Sequence, residues 1–273
     1  MLRNTLGRAL RRRRLIAAAL ALPALAGCSS YSSSTVGSSS EPAAAELTVF
    51  AGSSLTKAFT AIGADFEAAH PGVTVTFNFG PSDGLAASIE SEGGADVFAS
   101  ASGTWMDDVE GTTGVTGRTD LVTNKLVVIT PPDDPAGITS LEGLAKNGVQ
   151  VVLAAEGVPV GDYARECLKN AKIDGAVLAN VVSNAEDDAA VVATIASGEA
   201  DAGIVYVSDV TSEVAPSVKA IDIPDDVNVI ASYPIAVVQR SENTGLAQQW
   251  VDYVTTGPGQ SRLVGEFGFL PAG

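Results

Sequence analysis

The chain of 273 residues carries 32 acidic and 16 basic residues, a formal charge of −16, and 46% of its residues are hydrophobic. This length and apolar content suffice for one large hydrophobic core or two medium ones, and they argue against a disordered chain. The acidic balance argues against nucleic acid as a partner, because a strongly acidic surface repels phosphate backbones.

Residues 1–27 have the organisation of an export signal. Six arginines without any acidic residue accompany an apolar run, residues 15–25, that is too short to span a bilayer but suits a signal peptide. The run ends in Leu25-Ala26-Gly27-Cys28, which resembles the bacterial lipobox. We therefore predict cleavage before Cys28, lipidation of that cysteine, and anchoring to the extracytoplasmic face of the cell membrane. The sequence leaves open whether export follows the Sec or the twin-arginine route.

The stretch at residues 28–45 is rich in serine and has too little apolar surface to offset chain entropy, which predicts a flexible tether. Removal of the signal would take away six basic residues and no acidic one, leaving a mature charge of −22. Once Cys28 is lipidated, Cys167 has no partner for an intrachain disulfide. We expect Cys167 to be a buried thiol on a helix.

From residue 46 onward, short β-rich runs alternate with helical patterns. We predict strands at residues 47–51, 73–79, 95–100, 126–130, 149–154 and 202–207. Apolar spacing predicts a first helix from Leu55 that is broken at His70, a second after Gly84, and a third over residues 191–197. Alternation of this kind favours an α/β fold with mostly parallel sheets covered by helices. The segment is too long for one comfortable domain, so we expect two lobes.

Serines occupy two predicted strand-to-helix turns, Ser53-Ser54 and Ser82. In an open α/β sheet such turns gather at the carboxyl ends of the strands, where ligands bind. Helix starts offer unpaired N–H groups and partial positive charge, and hydroxyls add donors, so the two turns suit an oxyanion. The alternative is that these serines only cap their helices, with Ser53 or Ser54 as the natural N-cap of the first.

Gly80-Pro81-Ser82-Asp83-Gly84 also matches the G-x-S-x-G pattern of a serine-hydrolase nucleophile elbow. Such an elbow needs a histidine after the serine, whereas the single histidine, His70, precedes Ser82 and lies in a predicted turn. A secreted serine hydrolase using Ser82 is therefore the alternative from another functional class. A cell-surface lipoprotein that binds no ligand is a third hypothesis. Neither a glycine-rich phosphate loop nor the side-chain clustering of a zinc site is visible in the sequence.

Several segments together resemble the periplasmic molybdate-binding proteins of ABC transporters. One is Val158-Pro159-Val160-Gly161-Asp162-Tyr163-Ala164, and the others are residues 47–56, 79–86, 95–106, 198–206, 233–238 and 265–269. The resemblance spans about residues 46 to 270. It implies a type II periplasmic-binding-protein fold, in which two α/β lobes, each a mostly parallel sheet flanked by helices, are joined by two crossing strands. It places lobe one at 46–124 and 234–273 and lobe two at 125–233.

The same resemblance implies a ligand and a site. The hydroxyls of Ser54, Ser82 and Tyr206 would donate to molybdate or tungstate, together with the backbone N–H groups of Ser54, Ser82, Val160 and Asp188. Molybdenum would be held only as the oxyanion, and no cofactor is implied. The expected protein is a monomeric, lipid-anchored solute-binding protein that performs no catalysis and delivers the ion to an ABC permease. The sequence does not separate molybdate from tungstate.

Three positions depart from the family's pattern. Val160 replaces an alanine, which is harmless if only its N–H is used, and Gly80-Pro81 replaces a serine-rich pair and removes one donor. Asp188 stands where the family commonly has valine, and an ionised carboxylate accepts hydrogen bonds but donates none. Either Asp188 turns away from the ligand and complements its helix dipole, or Asp188 or Asp83 points inward and suits a protonated anion such as hydrogen phosphate. A sulfate- or phosphate-type binder is therefore the alternative within the class.

The predicted ligand shell contains neither lysine nor arginine. A chain of charge −22 repels a dianion at long range, so affinity must come from short, well-aimed neutral donors. A cage made only of donors also rejects protonated anions, because a ligand hydrogen would then face a protein hydrogen.

Overall fold

Strands and helices alternate along residues 45–273, the part of the chain that the computed structural model describes. The strands are β1 (Ala45–Gly52), β2 (Val73–Gly80), β3 (Val97–Ala99), β4 (Val115–Thr130), β5 (Val151–Ala154), β6 (Val181–Ala185), β7 (Ala202–Tyr206), β8 (Lys219–Asp222), β9 (Ile230–Val238) and β10 (Leu270–Pro271). The helices are α1 (Thr56–Ala69), α2 (Ser82–Ser91), α3 (Gly103–Thr112), α4 (Pro159–Asn170), α5 (Asp174–Leu178), α6 (Asp188–Ala196), α7 (Thr244–Thr255) and α8 (Pro258–Gly265).

The strands form two sheets that share β4. In the first sheet β1 lies between β2 and β3 in parallel, and β9 joins β3 antiparallel. In the second sheet β5 lies between β6 and β7 in parallel. β4 pairs with β9 through Lys125 and with β7 from Leu126 onward, so it passes from one sheet to the other between these residues. The arrangement confirms the predicted α/β class with two lobes, while the lobe boundaries at residues 124/125 and 233/234 stay a prediction.

Helices cover both faces of the first sheet. Phe59, Ile62 and Phe66 recur on one face of α1 and are fully buried against the sheet. Trp250 of α7 meets the rings of Phe59 and Phe66 edge-on at centroid distances of 5.3 Å. Successive strand residues point to opposite faces, so Phe50 faces away from this cluster and packs with side chains of α2 and α3. These layers fix where each helix begins relative to the strand ends.

All six predicted strands are present, with differences in length. The run predicted at 126–130 is only the last part of β4, whose earlier residues pair with β9. The second predicted helix is α2, which begins at Ser82 rather than after Gly84. The helix predicted over residues 191–197 is α6, which begins at Asp188. His70 follows the last residue of α1, as its predicted role in a turn requires. Cys167 is fully buried in α4, and burial raises the pKa of its thiol to about 11, which confirms an inert core cysteine.

Residues 1–44, with the predicted signal, most of the tether and Cys28, lie outside the described residues. None of the helices within residues 45–273 combines the length and apolarity that crossing a bilayer requires. The predicted lipid anchor at Cys28 is therefore not tested by the fold and stays a prediction.

Candidate functional site

Four helical segments begin at one small cavity between the two sheets. Its wall is formed by the turn before α1 and by the first residues of α2, α4 and α6. All five residues predicted to bind the ligand line it, namely Ser54, Ser82, Val160, Asp188 and Tyr206. The cavity has about 10 Å³ of room for the centre of a water-sized sphere, space for about one water molecule. The two sides of the cavity thus lie close together at this point.

Backbone N–H groups at the helix starts are free of intrahelical partners. In α2, α4 and α6 the first hydrogen bond inside the helix is donated by the fourth residue. The N–H groups of Ser82, Val160 and Asp188 precede that bond. Each helix start also carries roughly half a positive charge. The wall therefore presents several neutral donors in a partly positive field.

Two buried hydroxyl groups have a proton that no acceptor uses within the described residues. The Ser82 Oγ accepts a hydrogen bond from the Ala101 N–H at 3.0 Å, which leaves the Ser82 proton unassigned. The Tyr206 hydroxyl has no partner in residues 45–273, although the side chain is 1% exposed. Burial holds the pKa of Tyr206 well above its ordinary value, so the phenol keeps its proton. Both groups suit an incoming acceptor.

Ser54 belongs to a short chain of donors. The amide nitrogen of Asn124 lies 3.5 Å from the hydroxyl of Tyr233, and that hydroxyl lies 2.9 Å from the Ser54 Oγ. An amide NH₂ only donates, so Tyr233 accepts from Asn124. Either hydroxyl can donate in the bond between Tyr233 and Ser54, and donation by Tyr233 leaves the proton of Ser54 for the cavity. Asn124 and Tyr233 are both fully buried.

The interpretation of the serines as helix caps is wrong. The residues at the N-cap positions are Gly52 for the turn before α1, Leu55 for α1 itself, and Pro81 for α2, and no side chain caps any of these segments. The Ser53 hydroxyl instead donates to a carboxylate oxygen of Asp188. The turns are therefore built for contacts across the cavity.

Asp188 lines the cavity, and its carboxylate accepts a hydrogen bond from Ser53, while the direction of the side chain relative to a bound ligand stays a prediction. Its side chain is 2% exposed, and Oδ2 has no hydrogen-bond partner within the described chain. Burial raises the pKa of this carboxyl, although the hydrogen bond from Ser53 opposes the shift. Asp83 also has one buried carboxylate oxygen without a partner in residues 45–273, but it lies beside Gly157 and not in the cavity wall.

Three residues that contribute to this arrangement were missed as site residues. Ser53 and Tyr233 stand in segments that the sequence singled out, one as half of a serine pair and one in a recognised motif. Asp209 gave no signal, because its burial beside Asp188 arises from the turn after β7. Burial raises the pKa of Asp209 well above its ordinary value, and the nearby charge of Asp188 adds to the shift.

No lysine or arginine lines the cavity formed by the described residues. Lys57 lines a neighbouring cavity of about 220 Å³, where its ammonium group contacts Thr211 at 2.9 Å and Glu213 at 2.8 Å. Within residues 45–273 no three His, Cys, Asp or Glu side chains are placed to hold a metal ion. The site is therefore suited to an anion that is bound by neutral donor groups.

Ser82 has no imidazole beside it to accept its proton. His70 ends α1, whereas the start of α1 adjoins the cavity, and the 14 residues of that helix span roughly 20 Å. The His70 Nδ1 instead lies 2.8 Å from the carbonyl oxygen of Phe66. The geometry does not support the serine-hydrolase alternative.

The two sides of the cavity also touch outside it. The indole N–H of Trp105, on α3, donates to the carbonyl oxygen of Gly157, before α4, at 2.8 Å. On the other side Lys57 of α1 reaches Glu213, after β7. These bonds join the layers of the first sheet to those of the second when the cavity is closed.

Comparisons with known proteins agree with this geometry. The family model of bacterial extracellular solute-binding proteins matches residues 47–270. The molybdate-binding protein ModA of Mycobacterium tuberculosis (strain H37Rv) is 35% identical over 257 residues, which cover 93% of this chain and 95% of that protein. The molybdate-binding protein ModA of Escherichia coli (strain K12) is 33% identical over 235 residues, covering 82% of this chain and 88% of that protein.

A solved structure shares the fold. The periplasmic molybdate-binding protein of Azotobacter vinelandii superposes with a TM-score of 0.73 at 18% identity, covering 83% of this chain and 100% of that chain. The likeness establishes the two-lobed periplasmic-binding-protein architecture for residues that the family model also matches. The chain belongs to the family of bacterial extracellular solute-binding proteins.

Proposed function

We propose that this protein binds molybdate, or the similar dianion tungstate, and delivers it to an ABC permease. The observation that carries the proposal is a set of hydroxyl and N–H donors around one cavity that no lysine or arginine of the described residues lines. Ser54, Ser82 and Tyr206 supply hydroxyl protons, and Val160 and Asp188 supply backbone N–H groups at helix starts.

A tetrahedral dianion is the chemical complement of this wall. Each of its oxygens accepts hydrogen bonds, and hydrogen bonds to a charged acceptor are shorter and stronger than neutral ones. The cavity is narrow, so a bound ion would displace the solvent that otherwise competes for these donors. Neutral donors that are split between two lobes also let the protein adjust its closure to the size of the ion.

Relatives support the choice of molybdate. Two curated proteins that carry the name molybdate-binding protein are 35% and 33% identical to this chain over most of its length. Their similarity spans the residues of the cavity wall. The family model describes bacterial extracellular solute-binding proteins, and we extend to this chain the role of a solute-binding protein without catalytic activity.

We further propose that the protein acts on the extracytoplasmic face of the cell membrane, held as a monomer by a lipid on Cys28. The support is the order of features in residues 1–28, namely arginines, an apolar run and a lipobox-like Leu25-Ala26-Gly27-Cys28. A lipid anchor with a serine-rich tether would keep the two lobes near the permease.

A phosphate-type ligand is the second candidate, and one observation favours it. Asp188 places a carboxylate at the cavity wall, and its Oδ2 has no partner among the described residues. Hydrogen phosphate carries an O–H that such an oxygen would accept. Sulfate carries no proton at neutral pH and would gain nothing from Asp188.

A panel of oxyanions separates these candidates. Thermal unfolding of the purified protein is followed with molybdate, tungstate, sulfate, phosphate and chloride at equal ionic strength. A true ligand stabilises the folded state by mass action, so molybdate and tungstate should raise Tm in proportion to the logarithm of their concentration. If phosphate alone raises Tm, phosphate is the ligand and not molybdate. If none of the ions raises Tm, oxyanion binding is refuted.

A further inference from the structure

Asp188 brings a carboxylate to a site that is proposed to bind an anion. One of its carboxylate oxygens accepts a hydrogen bond from Ser53, across the cavity, and the other has no partner in residues 45–273. The side chain is 2% exposed, and the residue lines both the small cavity and the neighbouring cavity of about 220 Å³. An ionised carboxylate here would lie close to a bound dianion.

A second carboxyl stands beside the first. Asp209, after β7, lines the cavity of about 220 Å³ together with Asp188, and its Oδ2 accepts from the Tyr206 N–H at 2.8 Å. Burial and the charge of Asp188 raise the pKa of Asp209, and two carboxyls that interact in this way titrate as a pair. The pair lies directly behind the cavity wall formed by Asp188 and Tyr206.

No neighbouring cation balances this pair within the described residues. The titratable groups that face it are Asp187 at the N-cap of α6 and the phenols of Tyr206 and Tyr233. Lys57 lines the adjoining cavity, but its ammonium group is bonded to Thr211 and Glu213. A second negative charge in the cavity therefore acts on the carboxyl pair with little compensation.

We propose that binding of a doubly charged oxyanion is accompanied by the uptake of one proton from solvent by the Asp188–Asp209 carboxyl pair. This inference rests on the proposed function, since it assumes that the cavity takes a dianion such as molybdate. The proton removes one negative charge from the wall and leaves Asp188 able to donate a hydrogen bond. The carboxyl pair then distinguishes two kinds of anion. A dianion without a proton requires proton uptake, whereas a protonated anion such as hydrogen phosphate does not.

The sign of the linkage follows from the charges. The dianion favours the protonated pair, so the pKa of the pair is higher in the occupied site than in the empty one. Affinity is therefore highest below the pKa of the empty site and falls as pH rises toward the pKa of the occupied site. One proton limits this slope to about tenfold per pH unit.

Calorimetry with molybdate in buffers of different ionisation enthalpy measures the number of protons taken up. Across the pH range in which the folded protein is stable, we expect up to one proton per ion and a matching decline in affinity with pH. The double variant Asp188→Asn/Asp209→Asn imitates the protonated pair and should bind molybdate without proton uptake and with a flat pH profile. Asp226→Asn, an exposed acid in a turn, is the matched control and should keep the uptake.

The outcomes separate the inference from the function on which it rests. Molybdate binding with no proton uptake at any pH in this range would overturn the inference and leave the proposed function intact. An uptake that persists in the double variant would assign the proton to another group and also overturn it. Absence of molybdate binding would overturn both. The wild-type pH profile needs no variant, so misfolding of the double variant would not prevent the decision.

Discussion

Individual hydroxyl groups at the cavity differ in what already occupies them. The Ser82 oxygen accepts from the Ala101 N–H, while the Ser54 oxygen is bonded to Tyr233. The Ser82 proton is thus left for the ligand, and the Ser54 proton is left for it when Tyr233 is the donor to Ser54. A group held in this way is already oriented before the ion arrives, which reduces the ordering that binding requires.

Ser82→Ala and Ser54→Ala should therefore each weaken molybdate binding by about 1–3 kcal/mol, the range for a hydrogen bond to a charged group. Isothermal titration calorimetry measures the change in Kd. Ser91→Ala is the control, since Ser91 is exposed on the same helix as Ser82 and bonds only the carbonyl of Ala87. Unchanged affinity in both site variants would remove these serines from the ligand shell.

A second prediction at the scale of residues concerns Asp209 and the pH dependence of the free energy of unfolding. Burial raises the pKa of Asp209 well above its ordinary value in the folded protein. The protonated carboxyl's contribution to stability is thus fully present below the unfolded pKa of about 4, and it is lost as pH rises through the folded pKa. Asp209→Asn keeps an acceptor for the Tyr206 N–H and does not ionise.

The variant should therefore exceed the wild type in free energy of unfolding at alkaline pH, by about 1.4 kcal/mol for each unit of pKa shift. The difference should vanish near about pH 4. Urea denaturation without ligand at several pH values tests this. Asp226→Asn, at an exposed turn, serves as the reference. A gain in stability that does not vary with pH would show that Asp209 ionises normally in the folded protein.

At the scale of elements, the start of α6 depends on Asp187. Its side chain accepts a hydrogen bond from the Ala190 N–H at 2.8 Å and caps the helix, while Asp188 begins the first turn. The cap holds the backbone that presents the Asp188 N–H to the cavity. Capping and ligand contact are thus divided between two adjacent acids.

Asp187→Ala should lower the free energy of unfolding of the ligand-free protein by about 0.5–2 kcal/mol, the usual cost of losing an N-cap. Chemical denaturation measures this loss. Asp226→Ala, which removes a carboxylate from an exposed turn, is expected to change stability by less than about 0.5 kcal/mol. Equal effects of the two substitutions would mean that the cap contributes nothing.

The elements also show how far the sequence alone leads. β7 is a continuous apolar run and most of β1 is apolar and buried, so the prediction of both strands is confirmed at nearly the right ends. The first part of β4, residues 115–120, is mostly exposed and has no strand-like alternation, and its pairing with the distant β9 defines it. Local pattern carries no information about a partner more than a hundred residues away.

The same distinction holds for the candidate site. The serine-bearing turns, together with the resemblance to molybdate-binding proteins, predicted Ser54, Ser82, Val160 and Tyr206 as site residues, and all four line one cavity. The direction of the Asp188 side chain depended on Ser53 from the other sheet and on burial, which are tertiary facts. Asp209 stayed invisible for the same reason. Contact of these residues with a ligand remains a prediction.

At the scale of the whole molecule, closure of the cavity is secured by few bonds outside it. The Trp105 indole N–H donates to the Gly157 carbonyl oxygen at 2.8 Å, joining α3 to the segment before α4. Trp250, the other tryptophan, is fully buried in the core of the first sheet. Trp105 therefore stands where opening would change its surroundings, and Trp250 does not.

Trp105→Phe keeps most of the ring and loses the hydrogen bond, so it should weaken molybdate binding by about 0.5–1.5 kcal/mol, mainly through faster dissociation. It should also abolish the change in tryptophan fluorescence on ligand addition. Stopped-flow fluorescence of the wild type and calorimetry of the variant measure the two effects. A ligand-dependent signal that survives in the variant would locate the change at Trp250 instead.

Anchoring concerns the molecule as a whole and depends on Cys28. Cys28→Ser should release the protein from the membrane fraction or leave it unprocessed, because the sulfur that carries the lipid is gone. Cell fractionation and the mass of the mature protein decide the matter. Cys167→Ser, at a buried core position, should leave fractionation unchanged. Unaltered membrane retention and mass in Cys28→Ser would refute lipidation.

The division of the cavity wall has a consequence for release. The starts of α1 and α2 belong with the first sheet and those of α4 and α6 with the second, so neither side owns a complete set of donors. A bound ion accepts hydrogen bonds from both sides at once, so it is held tightly only while the two sides are in contact. Any force that parts them, such as docking onto a membrane transporter, frees the cargo without a competing anion or a chemical step.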